Sequence, residues 1–440
     1  MKIAIIGAGA TGMAAAYDLT KNGHVPIIYE VSPFVGGHAS TFTVGGAQLE
    51  RGYHHWFTND IDIINLVNEI GLGGQINWIE SKVGTLVNGK IYPFGTPFDL
   101  LKFSAINLID RLRLGLATLY IQKRKNFKDF ENITASNWLR QYVGKNAYKV
   151  FWEPMLRGKF GEKFYDQISM TWIWGKIHTR LASRGSNFSP EKLGYPIGSF
   201  SEIFDTLSNE IYKGGGEINL STSVNEIITE NNKFVGIETS SKELKSNIEK
   251  FDACLVTTPS HVFEKLVTNG ITEDYKKKIS SIKYMSAVLI ILILDKPLSD
   301  RYWLNIADRS IPFVAVIEHT NFIKSEHYSG KHIVYLSNYL DKENDMYSMS
   351  HEELLAHYMP HLVKINSNFH ADWIETSYYH KIDYAQPIIG KNYSDIIPSH
   401  KTPVDGLYLA NTSQVYPEDR GTNYSVKMGR KLANMIMEDF

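Results

Sequence analysis

The chain opens on an apolar run, Lys2 to Ile6. A glycine-rich turn comes next, then positions with helical spacing from Met13 to Lys21 that stop at Gly23, then a second apolar run, "VPIIYE". This change of period predicts strand, turn, helix and strand in succession. "VGGAQLERGYHHWF" reads as a hairpin turning at Gly45-Gly46. From about 76 to 190 apolar residues recur at helical spacing, notably in "PFDLLKFSAINLIDRLRLGLATLYIQKRKNF", predicting a helix-rich insertion. Ser199 to Ile211 reads as a helix closed by Gly214 to Gly216. "EINLSTSVNEI" alternates like one strand, and a turn at Asn231-Asn232 leads into "FVGIET". "FDACLVTTPSHVFEKL" is an apolar strand running into a helix. "SAVLIILILDKPL" and "RSIPFVAVIEHT" read as neighbouring strands of a second sheet. The tail reads as strand ("GLYLAN"), charged loop and helix, with Val426, Leu432 and Ile436 on the buried face. These elements predict an α/β fold, mostly a parallel sheet with helices, built from 1–75, 190–285 and 395–440. A second α+β domain from 76–189 and 286–394 interleaves with it.

The opening unit carries chemistry. Gly7, Gly9 and Gly12 form G-x-G-x-x-G between strand and helix, and Glu30 ends the second strand. Gly7 permits the tight turn, Gly9 lets the backbone approach a pyrophosphate, and Gly12 lets helix pack on strand. The helix start at Ala10 and Thr11 offers free amides to phosphate, and Glu30 can accept from a ribose hydroxyl. Strand, glycines, helix, strand and acid in this order point to a dinucleotide with a free 2′-hydroxyl, FAD or NAD.

The residues beyond Glu30 separate the two. "VSPFVGGHASTF" places the pair Gly36-Gly37 six residues later, and Glu50-x-Gly52 lies behind the hairpin turn. At this point the chain resembles the flavin-dependent amine oxidase superfamily, which includes protoporphyrinogen oxidases, phytoene-type desaturases and, more distantly, UDP-galactopyranose mutases. The resemblance implies FAD. It implies that Gly36, Gly37, His38, Ala39 and Ser40 touch the cofactor and that Gly52, Tyr53 and His54 lie near the flavin ring. His38 stands where that family usually has arginine, which leaves the side chain at the diphosphate open. The resemblance extends to Val224, whose backbone would hold the adenine, and to the tail, where Ala410-Asn411 replaces the usual glycine-acid pair. There Asn411, Gly421, Thr422 and Asn423 would meet the flavin, Thr422 and Asn423 as cap and first turn of a helix packed back against residue 7. Such a helix start carries roughly half a positive charge, suited to an anionic reduced flavin. Glu418, Asp419 and Arg420 read either as a local ion-pair loop or with Arg420 reaching the flavin or a substrate anion.

Composition narrows the partners. The chain has 440 residues, 46 Lys+Arg against 47 Asp+Glu, and no long block of one sign, so no nucleic-acid surface is expected. The single cysteine, Cys254, allows no internal disulfide and fits a buried thiol in a reducing, cytoplasmic setting. The apolar N-terminus is too short and glycine-rich for a secretory signal. The longest apolar run, Ala287 to Leu294, falls short of the about 20 residues a membrane span needs. The basic-ended helix of the insertion reads as core-facing with a solvated end. Its alternative is a helix lying on a membrane surface that admits a lipid-soluble substrate.

The histidines are scattered, so no metal constellation is expected. His54 and His55 are adjacent on an expected strand, which would point them to opposite faces. His54 is the candidate base or donor beside the ring, with Tyr53 and Arg420 as companions; a structural role for both histidines is the other reading. The expected activity is FAD-dependent removal of two hydrogens from a C–N or C–C unit of a small organic or lipid-like molecule. The alternative is a non-redox flavoenzyme acting on a nucleotide-sugar, for which "GGHAS", Arg157 and Arg180 would be the marks.

Overall fold

The computed structural model describes residues 1–184, 190–241 and 246–440; the last residues of the insertion, 185–189, lie outside them. Five strands, 217–219, 25–29, 2–6, 253–256 and 407–409, lie side by side in that order, all parallel. Their sequences, such as "KIAII" and "ACLV", are near-continuous apolar runs, as parallel sheets covered on both faces require. Side chains alternate across the sheet. Ile3 and Ile5 pack against the helices Ala10–Lys21, Ser199–Lys213 and Thr422–Asp439. Ala4 and Ile6 pack instead with Ile227, Ile237 and Phe263 of the opposite layer. Cys254 is fully buried there, and burial pushes its thiol pKa up.

The second sheet has seven strands in the order 374–387, 284–294, 332–340, 315–318, 303–306, 83–87 and 90–93. All neighbours are antiparallel except 303–306 with 83–87. The two apolar strands expected as neighbours share this sheet but are separated by 332–340, whose "HIVYLSNYL" is buried on both faces and pairs with each. The insertion does not start as helix. Residues 76–80, 83–87 and 90–93 are strands, the last two joined at Asn88-Gly89, both at positive φ. Asn-Gly between apolar runs is a hairpin signal that overrides the helical spacing downstream. That spacing itself yields two helices, 97–102 and 108–123, because Asn107 caps the second by accepting from Asp110 N. "EINLSTSVNEI" likewise splits at Ser221, whose φ of 51° cannot continue a strand.

Candidate active site

The glycines of the first turn do different work. Gly7 sits at φ 110° and its N–H donates to Tyr29 O at 2.9 Å. A Cβ on Gly12 would strike Gly7 O, so this glycine lets the helix close onto the strand. A Cβ on Gly9 would meet nothing nearer than Gly37 Cα at 3.9 Å: the turn is open there. Gly36 N donates to Ala8 O at 2.8 Å, and Gly36 bridges Gly9, so the second glycine pair closes over the first turn. His38 and Ala39 continue in a 3-10 turn, and Ser40 O accepts from Arg51 N. The helix begun by Ala10 and Thr11 opens without a side-chain cap and with no acid in its first turn. Glu30 is held at the turn's edge, where its two oxygens accept from Ala8 N and Ser32 N, each at 2.9 Å. Val224 is brought toward the same edge because Thr222 N donates to Glu30 O; the strand bulges after Val224.

The tail closes this cradle. Strand 407–409 pairs with 253–256, and a Cβ on Gly429 would strike Thr11 O, so the last helix lies directly on the first. The packing therefore runs through Thr11 and Ala15 instead of through Gly7. Thr422 and Asn423 do not cap their own helix. Thr422 Oγ1 accepts from Trp56 Nε1 at 3.0 Å, and Asn423 Oδ1 accepts from Ile63 N at 3.1 Å, in the first turn of the helix Ile61–Glu69. The helix starting after Gly421 thus has no side-chain cap. Asn411 is buried with its side chain donating to Thr258 O at 3.0 Å and accepting from Ser413 N.

Tyr53, His54 and His55 lie in irregular backbone after the hairpin, not on a strand. Each histidine finds its own partner. His54 Nδ1–H donates to Gly52 O at 2.6 Å, which leaves Nε2 as the free acceptor. His55 Nδ1 pairs with Tyr302 OH at 2.9 Å. Burial lowers the pKa of His54 to about 4, as it does that of His38, where Arg420 adds to the effect. Both are neutral near pH 7 and both remain partly accessible, which places them on the wall of a cleft. Gly52 faces Ile382 and Leu289 with room for a Cβ at 3.5 Å.

Asp419 and Arg420 do not form a local ion-pair loop. Asp419 accepts from Trp172 Nε1 at 3.1 Å and pairs with Lys176 at 2.8 Å. Arg420 donates to Gln386 Oε1 and to Tyr339 OH, each at 3.1 Å. Of the two arginines that would mark the nucleotide-sugar alternative, Arg157 pairs with Glu153 and Glu162, and Arg180 faces Glu191 at 3.9 Å.

Sequence reasoning missed Arg51, Tyr339 and Gln386; Lys159 stands out in the sequence only as one of several charges around the tryptophans of 152–180, a mixture suited either to a polar substrate pocket or to a buried helix pair with ion pairs at its rim. Arg51 lies with Gly37, His38, Ser40 and His380 around a cavity of about 180 Å³, and its Nε is buried without a partner. Its charge beside Gly52 was the signal. Lys159 and Tyr339 come from segments far apart in the chain whose spacing holds no motif. Uncapped helix starts at Gly9 and Gly421, open space at Gly9, and the unpartnered Arg51 Nε and Thr258 Oγ1 fit a long, phosphate-bearing cofactor lying between residues 9 and 421.

The family model for flavin containing amine oxidoreductase matches residues 10–418. A coproporphyrinogen III oxidase of Staphylococcus aureus is 25% identical over 318 residues, 65% of this chain and 66% of that protein. A probable zeta-carotene desaturase of Synechococcus elongatus is 30% identical over 179 residues, 35% of this chain and 37% of that protein. Both matches thus span less than two thirds of the relative. A solved oxidoreductase from Methanosarcina mazei shares the fold over 100% of both chains, with a TM-score of 0.75 at 20% identity.

Proposed function

We propose that this chain, which belongs to the flavin containing amine oxidoreductase family, binds FAD and removes two hydrogens from a C–N or C–C unit of a small organic or lipid-like substrate. The observation that carries the reading is the meeting of two uncapped helix starts, after Gly9 and after Gly421: Ala10 and Thr422 line one cavity with Phe200, whose ring packs on His54. FAD, when bound, supplies the two-electron acceptor. The chain supplies the rest. The amides of Ala10 and Thr11 bind phosphate, Glu30 takes the ribose, and the backbone at Val224 takes the adenine. Arg51 provides the cation that His38 lacks. His54, neutral and with Nε2 free, accepts a hydrogen bond from the substrate but holds a proton only in acid. Tyr53, edge-on to Trp303 at 5.0 Å, keeps water from that side of the cleft.

Purified protein is expected to show an oxidised-flavin spectrum, to bleach with dithionite, and to release FAD on denaturation. Rapid recolouring in air marks an oxidase, and slow recolouring marks a dehydrogenase or desaturase. Turnover that leaves the substrate's oxidation state unchanged would favour the nucleotide-sugar rearrangement instead. A colourless protein that FAD cannot reconstitute sinks the proposal.

The lipid-like substrate is favoured by the insertion's surface. On helix 108–123 the inward face is Leu114, Ala117 and Ile121, but the outward face is apolar too: Ile109 is 68% exposed and Leu116 67%, with Leu108, Leu112 and Leu119 beside them. The expected solvated end is present at Lys123, Arg124 and Lys125, but the helix carries an exposed apolar stripe as well. Exposed Lys102, Arg113, Lys123, Arg124 and Lys125 border the stripe, which suits an anionic lipid surface. Among the described residues no helix is long and apolar enough to cross a membrane. The double variant Ile109→Glu, Leu116→Glu is expected to stop co-sedimenting with phosphatidylglycerol vesicles while keeping its flavin and melting temperature. Unchanged sedimentation would count against the membrane contact. The buried lone cysteine fits a cytoplasmic protein on the inner side of such a surface.

A further inference from the structure

Helices 153–164 and 170–182 and the loop before the closing helix bring three cations, Lys159, Lys176 and Arg420, around one carboxylate, Asp419, with Tyr339 of strand 332–340 beside them. Lys176 takes Asp419. Lys159 and Arg420 have no carboxylate at ion-pair distance among the described residues. Lys159 Nζ stands 4.0 Å from the centroid of the Tyr339 ring, and Arg420 reaches the same tyrosine's hydroxyl. Tyr53, whose OH pairs with Ser337 Oγ at 3.1 Å, borders the cluster, and the nearby His38 and His54 are neutral. Two enclosed cations without a counter-ion are costly unless something supplies the missing charge. Tyr339 registers the deficit: burial alone would raise its pKa, yet Lys159 and Arg420 together hold it below the ordinary phenol range. Lys159, in turn, is lowered by burial.

We propose that Lys159 and Arg420, with the Tyr53 and Tyr339 hydroxyls, form the docking site for a carboxylate carried by the substrate, holding the rest of that molecule against the cleft wall at His54. A two-oxygen planar group suits the guanidinium edge that Gln386 and Tyr339 leave open, with the ammonium as point charge beside it. The site discriminates against amine substrates, whose charge would meet two like charges. The proposal rests on FAD occupying the adjoining cradle.

The test uses the flavin-loaded enzyme, with benzoate and benzylamine as carboxylate and ammonium probes of one size, monitored by calorimetry and by the flavin difference spectrum. Benzoate is expected to bind at least about tenfold tighter than benzylamine. Lys159→Met should weaken benzoate about ten- to hundredfold, the worth of one charge-assisted hydrogen bond, with the flavin retained; Lys159→Arg should restore most of it. If Lys159→Met does not fold, Lys159→Gln against Lys159→Arg gives the same comparison. Equal affinity for the two probes, or benzoate binding indifferent to residue 159, overturns the proposal. So does loss of flavin with benzoate binding unchanged in the remaining holoenzyme, which would assign the cations to the cofactor. Failure of the FAD reading shows separately, as a protein colourless before any probe is added.

Discussion

Gly9→Val is expected to give a folded protein that purifies colourless. Gly9 has φ −78° and ψ 178°, extended backbone that valine adopts without strain, and its Cβ would meet no atom nearer than 3.9 Å. The added methyls therefore occupy the open space above the turn, where the proposed reading brings the phosphates to the backbone. Loss of that approach should weaken FAD by at least about a hundredfold, about 2.7 kcal/mol, while the melting temperature stays within a few degrees. Gly12→Val makes the control. There the side chain collides with Gly7 O and presses on Ile5, so fold and flavin should be lost together. Circular dichroism melting and FAD titration separate the outcomes. A yellow Gly9→Val with wild-type affinity would move the diphosphate elsewhere.

Glu50→Ala is expected to cost about 3–4 kcal/mol of stability, near the upper end for a single substitution. Glu50 is fully buried beneath the cleft, accepting from Tyr195 OH at 2.9 and 2.8 Å and from Phe200 N at 3.1 Å. Removing it strands both donors. Burial raises its pKa to about 7 from an ordinary 4.5, against the pull of those donors. Between these values the folded protein holds a proton that the unfolded chain has released. Its contribution is thus present below about pH 4.5 and fades as pH rises through 7, with a slope of up to about 1.4 kcal/mol per pH unit. Glu318, raised to about 7 by burial, gives a similar slope, so the measurement is a difference. Urea midpoints of wild type and Glu50→Gln, taken across that window, should diverge, with the variant gaining as pH rises. A constant difference would mean that Glu50 stays ionised in the folded protein.

The glycine turn and its surroundings were legible because their demands are local. Strand, glycine turn, helix, strand and Glu30 fall within thirty residues at a spacing that has a mechanical reason, and the tail showed its strand and helix in the same way. The cluster around Tyr339 was legible only in part, at Arg420 and among the charges near Lys159. Lys159, Tyr339 and Arg420 meet only because a helix, a strand and a loop from three distant segments cross, and no periodicity encodes that crossing. Local reading also erred where one signal masked another. Helical spacing downstream hid the Asn88-Gly89 hairpin, and Thr422 and Asn423, good caps by type, turn away to serve Trp56 and the helix at Ile61. The outward apolar stripe on helix 108–123 was invisible for a different reason: a residue's period says which face it shares, but not whether anything covers that face.

The embrace of the last helix and the first, with Gly429 seated on Thr11, bears on how the protein is made. During synthesis the glycine turn at residues 7–12 emerges some four hundred residues ahead of the helix 422–439 that walls it. Until that helix follows, a nascent chain exposes the face of the first helix that Gly429 later covers. On the proposed reading, flavin binding waits for the closing helix. Premature termination anywhere before the closing helix should yield not a weakened enzyme but an apoprotein with an open core, a substrate for chaperones and proteases.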